Sequence, residues 1–167
     1  ATVVLDDGGL KVTAFRVMHD PVSPAVGYRF DYKGRSLVIS GDTTRSPVLE
    51  RQAKGADLIL HEALQPEMLD VLTEALKAKG IDNLATVTTD IHDYHATPEQ
   101  AAESAQVAGA DMLVLTHVVP PVPVRYLEAA FVGDARRRFD GTIVVGRDGM
   151  LFSLPAGGDE VRRGRMF

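Results

Sequence analysis

Cysteine is missing from the 167-residue chain. Its absence excludes a disulfide scaffold and thiolate metal sites, which leaves histidine and carboxylate side chains as the available metal ligands. No apolar run approaches the roughly 20 residues that a membrane-spanning helix requires. Residues 1–9 show no signal-peptide pattern, so the sequence does not choose between a cytoplasmic and a periplasmic location.

Excess positive charge is also lacking. The formal net charge is −5, so no overall basic field would draw the chain to nucleic acid or anionic lipid. The two dense basic runs, 136–138 and 162–163, are interpreted as a solvated helix end and a mobile tail. We therefore expect neither nucleic acid nor a membrane as partner, and a small-molecule ester as substrate.

Helices and buried strands alternate along the part of the chain that carries the strongest patterns. A helix opened by Ser46-Pro47 precedes an apolar strand that ends at His61. A second helix, opened by a capping box over 97–100, precedes an apolar strand that ends at His117. This alternation predicts an α/β fold. Neither G-x-G-x-x-G nor a Walker-type loop follows a predicted strand, which disfavours a nucleotide-binding domain.

The other segments complete a single predicted domain over residues 1–167, without a linker. They are a strand over 10–18, a hairpin of strands 27–32 and 36–40, helices over 66–79 and 124–138, an irregular segment over 81–94, and a closing hairpin of strands 142–146 and 150–154.

Polar side chains stand at breaks in this regular structure. They are His19, Asp42, His61, His95 and His117. Side chains at the ends of strands can project from a sheet edge on a rigid backbone, which a metal site requires. The spacing alone leaves two interpretations open, a metal site and ordinary hydrogen-bonded polar groups.

Several motifs resemble the metallo-β-lactamase superfamily, in its branch with tRNase Z and the arylsulfatase-like hydrolases. His19 and the segment Ser40-Gly41-Asp42-Thr43 resemble the third and fourth metal motifs. Residues 61–63 resemble the HEA(T) motif, and 95–102 a histidine-led helix start. Residues 115–121 resemble the fifth metal motif in its arylsulfatase-like form. The motifs occur in the family's order, and the implied fold is the C-terminal half of an αββα sandwich.

The resemblance implies a binuclear site. His19 and His117 would each bind one of two divalent metal ions, and Asp42 would bridge them. The ions would be zinc, with manganese or iron as alternatives, and a metal-bridged hydroxide would be the nucleophile. His95 would act as general acid with Glu62 orienting it. His61 is expected to brace the structure, and His92 to lie in a solvated loop.

One departure from the family is large. Its members carry an upstream H-x-H-x-D-H loop, whereas this chain has no histidine before His19. Three ligands cannot complete two metal sites of four donors each. We therefore expect the chain to be an incomplete, inactive part of a larger unit, completed by an upstream half, a second chain or a homo-oligomer. Its apolar sheet face, including 37–39 and 113–115, would then need a cover.

Two functional hypotheses follow from the resemblance. The first is a binuclear metal-dependent hydrolase of phosphate or sulfate esters, of the arylsulfatase or phosphodiesterase type. The alternative is a non-catalytic protein of the same fold that serves in binding or assembly.

Overall fold

The computed structural model describes residues 1–166, and in them one mixed sheet carries most of the strands. Its seven strands lie in chain order: β1 (Thr2–Asp7), β2 (Leu10–Arg16), β3 (Val26–Tyr32), β4 (Arg35–Ile39), β5 (Leu58–Leu64), β6 (Met112–Val119) and β7 (Thr142–Val145). The first four strands pair antiparallel, and the last four, from β4 onward, pair parallel. A separate two-stranded hairpin pairs β8 (Met150–Ser153) with β9 (Arg162–Arg165). The predicted α/β class is therefore confirmed.

In residues 1–166, five α-helices connect the parallel strands. They are α1 (Pro47–Gln52), α2 (Pro66–Ala78), α3 (Asp82–Asp90), α4 (Pro98–Ala108) and α5 (Glu128–Val132). Helix α1 begins as predicted, because the Ser46 side chain accepts a hydrogen bond from the Leu49 amide. Helix α4 has both bonds of the predicted capping box between Thr97 and Gln100. None of the helices in residues 1–166 is both long enough and apolar enough to cross a membrane.

The two faces of the sheet have different covers. The helices cover one face, where Val38, Leu113 and Leu115 are fully buried. The β8–β9 hairpin packs on the other face, against a cluster that includes Val114 and the half-buried Leu37. The prediction that residues 37–39 and 113–115 share one exposed apolar face was therefore wrong, because both faces are covered. Successive side chains of a strand point to opposite faces, so each apolar run divides between the helical layer and the hairpin.

Two predicted segments differ from the structure in their helices. The segment 81–94 is helical, as α3 and a 3₁₀ turn over 91–94, because α3 packs on α2 and buries a hydrogen bond of 2.8 Å between Thr73 and Thr88. The predicted helix 124–138 is broken at Gly133, whose φ of 53° is left-handed. A Cβ at this position would collide with the Glu99 carboxylate, so glycine permits both the turn and the contact.

The closing hairpin was also predicted with the wrong partners. Strand β7 pairs parallel with β6, and β8 pairs with β9, so the turn over 147–149 carries the chain from one sheet to the other. The basic residues 162–163, interpreted from sequence as a mobile tail, lie in β9. The pairing of β8 with residues 9 to 15 positions away has no signature in local sequence, which explains the error.

A buried arginine fastens the hairpin to the sheet. Arg35, at the start of β4, forms an ion pair of 2.7 Å with Asp57. Its guanidinium also donates to the carbonyl oxygens of Pro155, Gly158, Asp159 and Glu160, at 2.6 to 3.1 Å. Both Asp57 oxygens accept hydrogen bonds, one from Arg35 and the other from the amide and hydroxyl of Ser36. We call this group the Arg35 clamp.

Candidate metal centre

Side chains from five parts of the chain converge at the carboxyl edge of the parallel strands. They are His19, Asp42, Glu62, His95 and His117. The ring of His95 lies 4.9 Å from that of His19 and 5.4 Å from that of His117, measured between centroids. His117 Nδ1 lies 3.9 Å from an Asp42 oxygen, and His95 Nδ1 lies 3.2 Å from Glu62 Oε2. The predicted site residues therefore share one location, while their roles remain predictions.

His117 occupies a β-bulge. The β5–β6 ladder pairs Glu62 with Thr116 and then Ala63 with Val118, so His117 is an extra residue without an opposite partner. Its φ is 43°, a left-handed value that is uncommon for a residue other than glycine. Bulges redirect a side chain at functional edges of sheets. The prediction that His61 and His117 terminate their strands was wrong, because β5 and β6 both continue beyond them.

Asp42 is positioned by a close contact between the backbone at Gly41 and the backbone at Val26. The preceding residue, Gly41, has a φ of 64°, and a Cβ there would collide with the carbonyl oxygen of Val26. Only glycine combines this conformation with this contact. The Asp42 side chain stays 43 % exposed, and that of His117 50 % exposed, so both are open to a ligand.

Glu62 is a buried carboxylate, 1 % exposed. Its Oε1 accepts hydrogen bonds from the amides of Ala96, at 2.8 Å, and Thr43, at 3.2 Å. Within residues 1–166, its Oε2 has no hydrogen-bond donor. The side chain is thus fixed through one oxygen, and the other faces His95 with its acceptor capacity unused.

His95 faces that free oxygen. The 3.2 Å separation is short enough for an ion pair, but the ring N–H does not align with Glu62 Oε2, so Nδ1 also lacks a hydrogen bond in the described residues. Burial lowers the pKa of His95, but interaction with Glu62 and the charge of Asp42 outweigh it, and the pKa is raised overall. Glu62 therefore stabilises the charged imidazolium, the form of His95 that is able to donate a proton.

His19 is oriented by a group that the sequence did not reveal. Its Nδ1 lies 2.8 Å from the carbonyl oxygen of Tyr94. Because a carbonyl only accepts, Nδ1 carries the hydrogen, and Nε2 keeps a free lone pair. The Tyr94 ring also packs edge-on against His19 at 5.1 Å, and its hydroxyl donates to Asp90. The position of Tyr94 directly before His95 was the only available signal.

Two other histidines lie outside the cluster. His61 is fully buried on the helical side of β5, and its Nδ1 lies 2.7 Å from the carbonyl oxygen of Glu62. Burial lowers the pKa of His61 more than Glu62 raises it, which keeps the ring neutral. His92, predicted to lie in a solvated loop, is on the 3₁₀ turn, where its Nε2 lies 3.4 Å from an Asp70 oxygen.

The cluster has donors that suit a divalent cation. Glu62, His95 and His117 each offer one atom, and these three atoms lie within 4.8 Å of one another. Two of the three residues carry a buried atom without a hydrogen bond, and such atoms gain most from a ligand. Imidazole nitrogen with carboxylate oxygen is a donor set typical of zinc. This set shares only His117 with the predicted ligands His19, Asp42 and His117.

Known proteins resemble the chain in sequence and in structure. A family model described as a beta-lactamase superfamily domain matches residues 1–118. A protein named ribonuclease Z from Mycobacterium avium is 33 % identical over 145 residues, which are 87 % of this chain and 48 % of the relative. Another ribonuclease Z, from Mycolicibacterium gilvum, is 37 % identical over 78 % of this chain and 41 % of its own length.

Solved structures agree on the fold. The short form of human tRNase Z superposes with a TM-score of 0.59 at 26 % identity, covering 92 % of this chain and 45 % of that one. The metallo-β-lactamase fold protein YhfI from Bacillus subtilis gives a TM-score of 0.61 at 20 % identity, over 86 % and 49 %. The chain thus spans about half the length of the relatives that it matches.

These names overturn one prediction. We expected no nucleic acid partner, yet the similar proteins are named for a ribonuclease and a tRNase. The expectation relied on net charge, which averages over the chain, whereas nucleic acid responds to the local arrangement of cations. Exposed arginines lie together in β9 despite the net charge of −5. The arylsulfatase-like character that was also predicted has no counterpart in these names.

The fold, the positions of the motif residues and the family model therefore lead to one conclusion: the chain belongs to the metallo-β-lactamase superfamily.

Proposed function

We propose that the chain provides metal-binding and proton-transferring side chains to a metal-dependent hydrolase that cleaves phosphodiester bonds in RNA. The buried Glu62–His95 pair beside His117 is the observation that carries the proposal. The names of the similar proteins support RNA rather than a sulfate ester as substrate.

The residues divide into two roles in this proposal. His19, Asp42 and His117 hold divalent ions, together with donors from outside this chain, since four or more are needed for each ion. When bound, the ions stabilise the negative charge that develops on the phosphate oxygens. The carbonyl of Tyr94 keeps the lone pair of His19 Nε2 available.

His95 and Glu62 supply the proton for the leaving group. Glu62 stabilises the charged form of His95, which is then able to donate its proton to the leaving oxygen of the ester. The donation neutralises the leaving alkoxide and leaves His95 neutral. The amides of Thr43 and Ala96 keep the Glu62 carboxylate in place during this transfer.

The decisive experiment replaces His95 in the intact protein. We expect His95→Ala to lower the turnover of a tRNA precursor by roughly 10² to 10⁴, the contribution of a general acid. Metal content, measured by plasma mass spectrometry, should stay unchanged. His92→Ala is the matched control, because His92 is also an imidazole next to a carboxylate but lies outside the cluster.

Two outcomes would contradict the proposal. Loss of metal in His95→Ala would assign His95 to the ligands, in agreement with the set Glu62, His95 and His117. An intact protein that holds no metal and cleaves no RNA would favour the alternative, a non-catalytic protein of this fold.

A further inference from the structure

Three arginines surround a small cavity on the β8–β9 hairpin. Arg125, Arg163 and Arg165 line a space of about 280 Å³ whose other walls include Met150 and Phe152. All three arginines are exposed, whereas Met150 and Phe152 are half-buried. We call this space the arginine pocket. It combines cationic walls with an apolar floor.

The charges of the pocket have no counter-ions in the described chain. Neighbouring arginines are paired, Arg147 with Glu128 and Arg162 with Glu160. In contrast, no carboxylate of residues 1–166 lies within ion-pair distance of Arg125, Arg163 or Arg165. Three adjacent cations repel one another, and an anionic ligand would remove that repulsion.

The pocket adjoins the candidate metal centre. A larger cavity of about 580 Å³ is lined by His117 and Arg147, and also by Met150 and Phe152. The two cavities thus have Met150 and Phe152 as a common wall. A ligand seated at His117 could therefore continue past Phe152 and reach the three arginines without leaving the surface.

We propose that the arginine pocket binds the sugar-phosphate backbone of a single-stranded RNA segment next to the bond that is cleaved. The choice of RNA rests on the proposed function. Guanidinium groups bind phosphate in a bidentate manner. Single-stranded nucleic acid sites commonly join such cations with an aromatic surface on which a base stacks, here Phe152. The pocket would fix the position of the RNA strand without recognising its bases, because phosphate contacts carry no sequence information.

A matched pair of variants tests the proposal. The first, Arg125→Gln/Arg163→Gln/Arg165→Gln, removes three positive charges from the pocket. The control, Arg51→Gln/Lys54→Gln/Arg136→Gln, removes three from exposed positions of the helical layer, on the opposite side of the sheet. Binding to a fluorescein-labelled oligouridylate of roughly 12 nucleotides is followed by anisotropy in the intact protein, with its thermal midpoint as a check of folding.

We expect the pocket variant to bind at least about tenfold more weakly at moderate salt. Its salt dependence should fall by about 2 in log–log slope, at roughly 0.7 for each phosphate group that the variant no longer neutralises. The control should bind like the wild type. A third variant, with lysine at the three pocket positions, keeps the charge but loses the bidentate contacts, so it should recover part of the affinity. This recovery would also exclude a folding defect as the cause.

Other outcomes would overturn the proposal. Equal weakening in both glutamine variants would mean that only net charge matters. An unchanged pocket variant would mean that RNA does not reach the arginines. Loss of binding to phosphatidylserine vesicles, with RNA binding intact, would identify a lipid surface instead. RNA cleavage is measured separately from RNA binding. If the intact protein cleaves no RNA, but its RNA binding is weakened in the pocket variant, only the proposed function is contradicted.

Discussion

The sheet carries a pair of ionisable side chains at each end of its parallel strands, buried Arg35 with half-buried Asp57 and buried Glu62 with buried His95, and the two pairs differ in how completely their polar atoms are bonded. In the Arg35 clamp, at the amino end, both carboxylate oxygens and the guanidinium have partners. At the carboxyl end, Glu62 Oε2 and His95 Nδ1 have none in the described residues. Complete bonding serves stability, whereas unused bonding capacity at a sheet edge marks a place for a ligand.

The largest expected effect comes from breaking the saturated pair. Arg35→Met should lower the free energy of unfolding by about 3 kcal/mol, because it leaves the half-buried Asp57 carboxylate without its charge partner and four carbonyl oxygens without a donor. Urea denaturation measures this change. Arg45→Ala is the control: Arg45 is 39 % exposed and pairs with Glu50 and Glu103, and an exposed pair contributes about 1 kcal/mol or less. Similar losses of unfolding free energy in both variants would show that the Arg35 clamp stabilises the fold no more than an exposed ion pair does.

The next effect is a dependence of stability on pH. Burial raises the pKa of Asp57, but hydrogen bonds from Ser36 and Arg35 and the charge of Arg35 outweigh it, so the pKa lies below its ordinary value of 3.8. A lowered pKa in the folded state means that the stabilisation is present above the unfolded pKa and is lost as the pH falls toward the folded one. We expect the unfolding midpoint in urea to drop as the pH decreases below 3.8, the ordinary pKa of an aspartate.

Asp57→Asn tests the assignment. It should be less stable than the wild type at neutral pH and lose less stability on acidification, since the titrating group is gone. A variant with the wild-type acid dependence would show that another carboxylate is responsible.

The smallest effect on stability is expected at the other pair. Glu62→Gln keeps an oxygen for the amides of Thr43 and Ala96 and removes a buried charge. We expect a change within about 1 kcal/mol in unfolding free energy, because no saturated network is broken. RNA turnover should nevertheless fall by roughly 10- to 100-fold, because His95 loses the carboxylate that stabilises its charge. A loss of stability as large as that of Arg35→Met would abolish the contrast between the two pairs.

Local sequence predicted the parts of the fold that depend on local physics. Proline and capping residues marked the starts of α1 and α4, and the apolar runs marked β5 and β6. The site residues were found because motif order identified them, although the spacing alone had left the metal site undecided. Their convergence needed the sheet, which brings His19 and His117 together across 98 positions of sequence.

The features that were missed depend on tertiary contact. Nothing in residues 81–94 indicates that Thr73 and Thr88 bond to each other and make α3 pack on α2. The carbonyl of Tyr94 is a backbone group, which any residue would supply, so its contact with His19 has no residue signature. The basic residues of β9 were misjudged because pairing with β8 is non-local.

The single unpaired residue at His117 has a consequence for how this chain responds to insertions and deletions. Pairing resumes with Ala63 opposite Val118, so loss of one codon at this position would leave all other pairs of the β5–β6 ladder intact. The shortened strand would be more regular, and it would lose a left-handed residue that costs roughly 1–2 kcal/mol. It would also lose its imidazole. Stability and chemistry therefore oppose each other at one codon, and a selection for heat resistance alone would remove the residue that the chemistry needs.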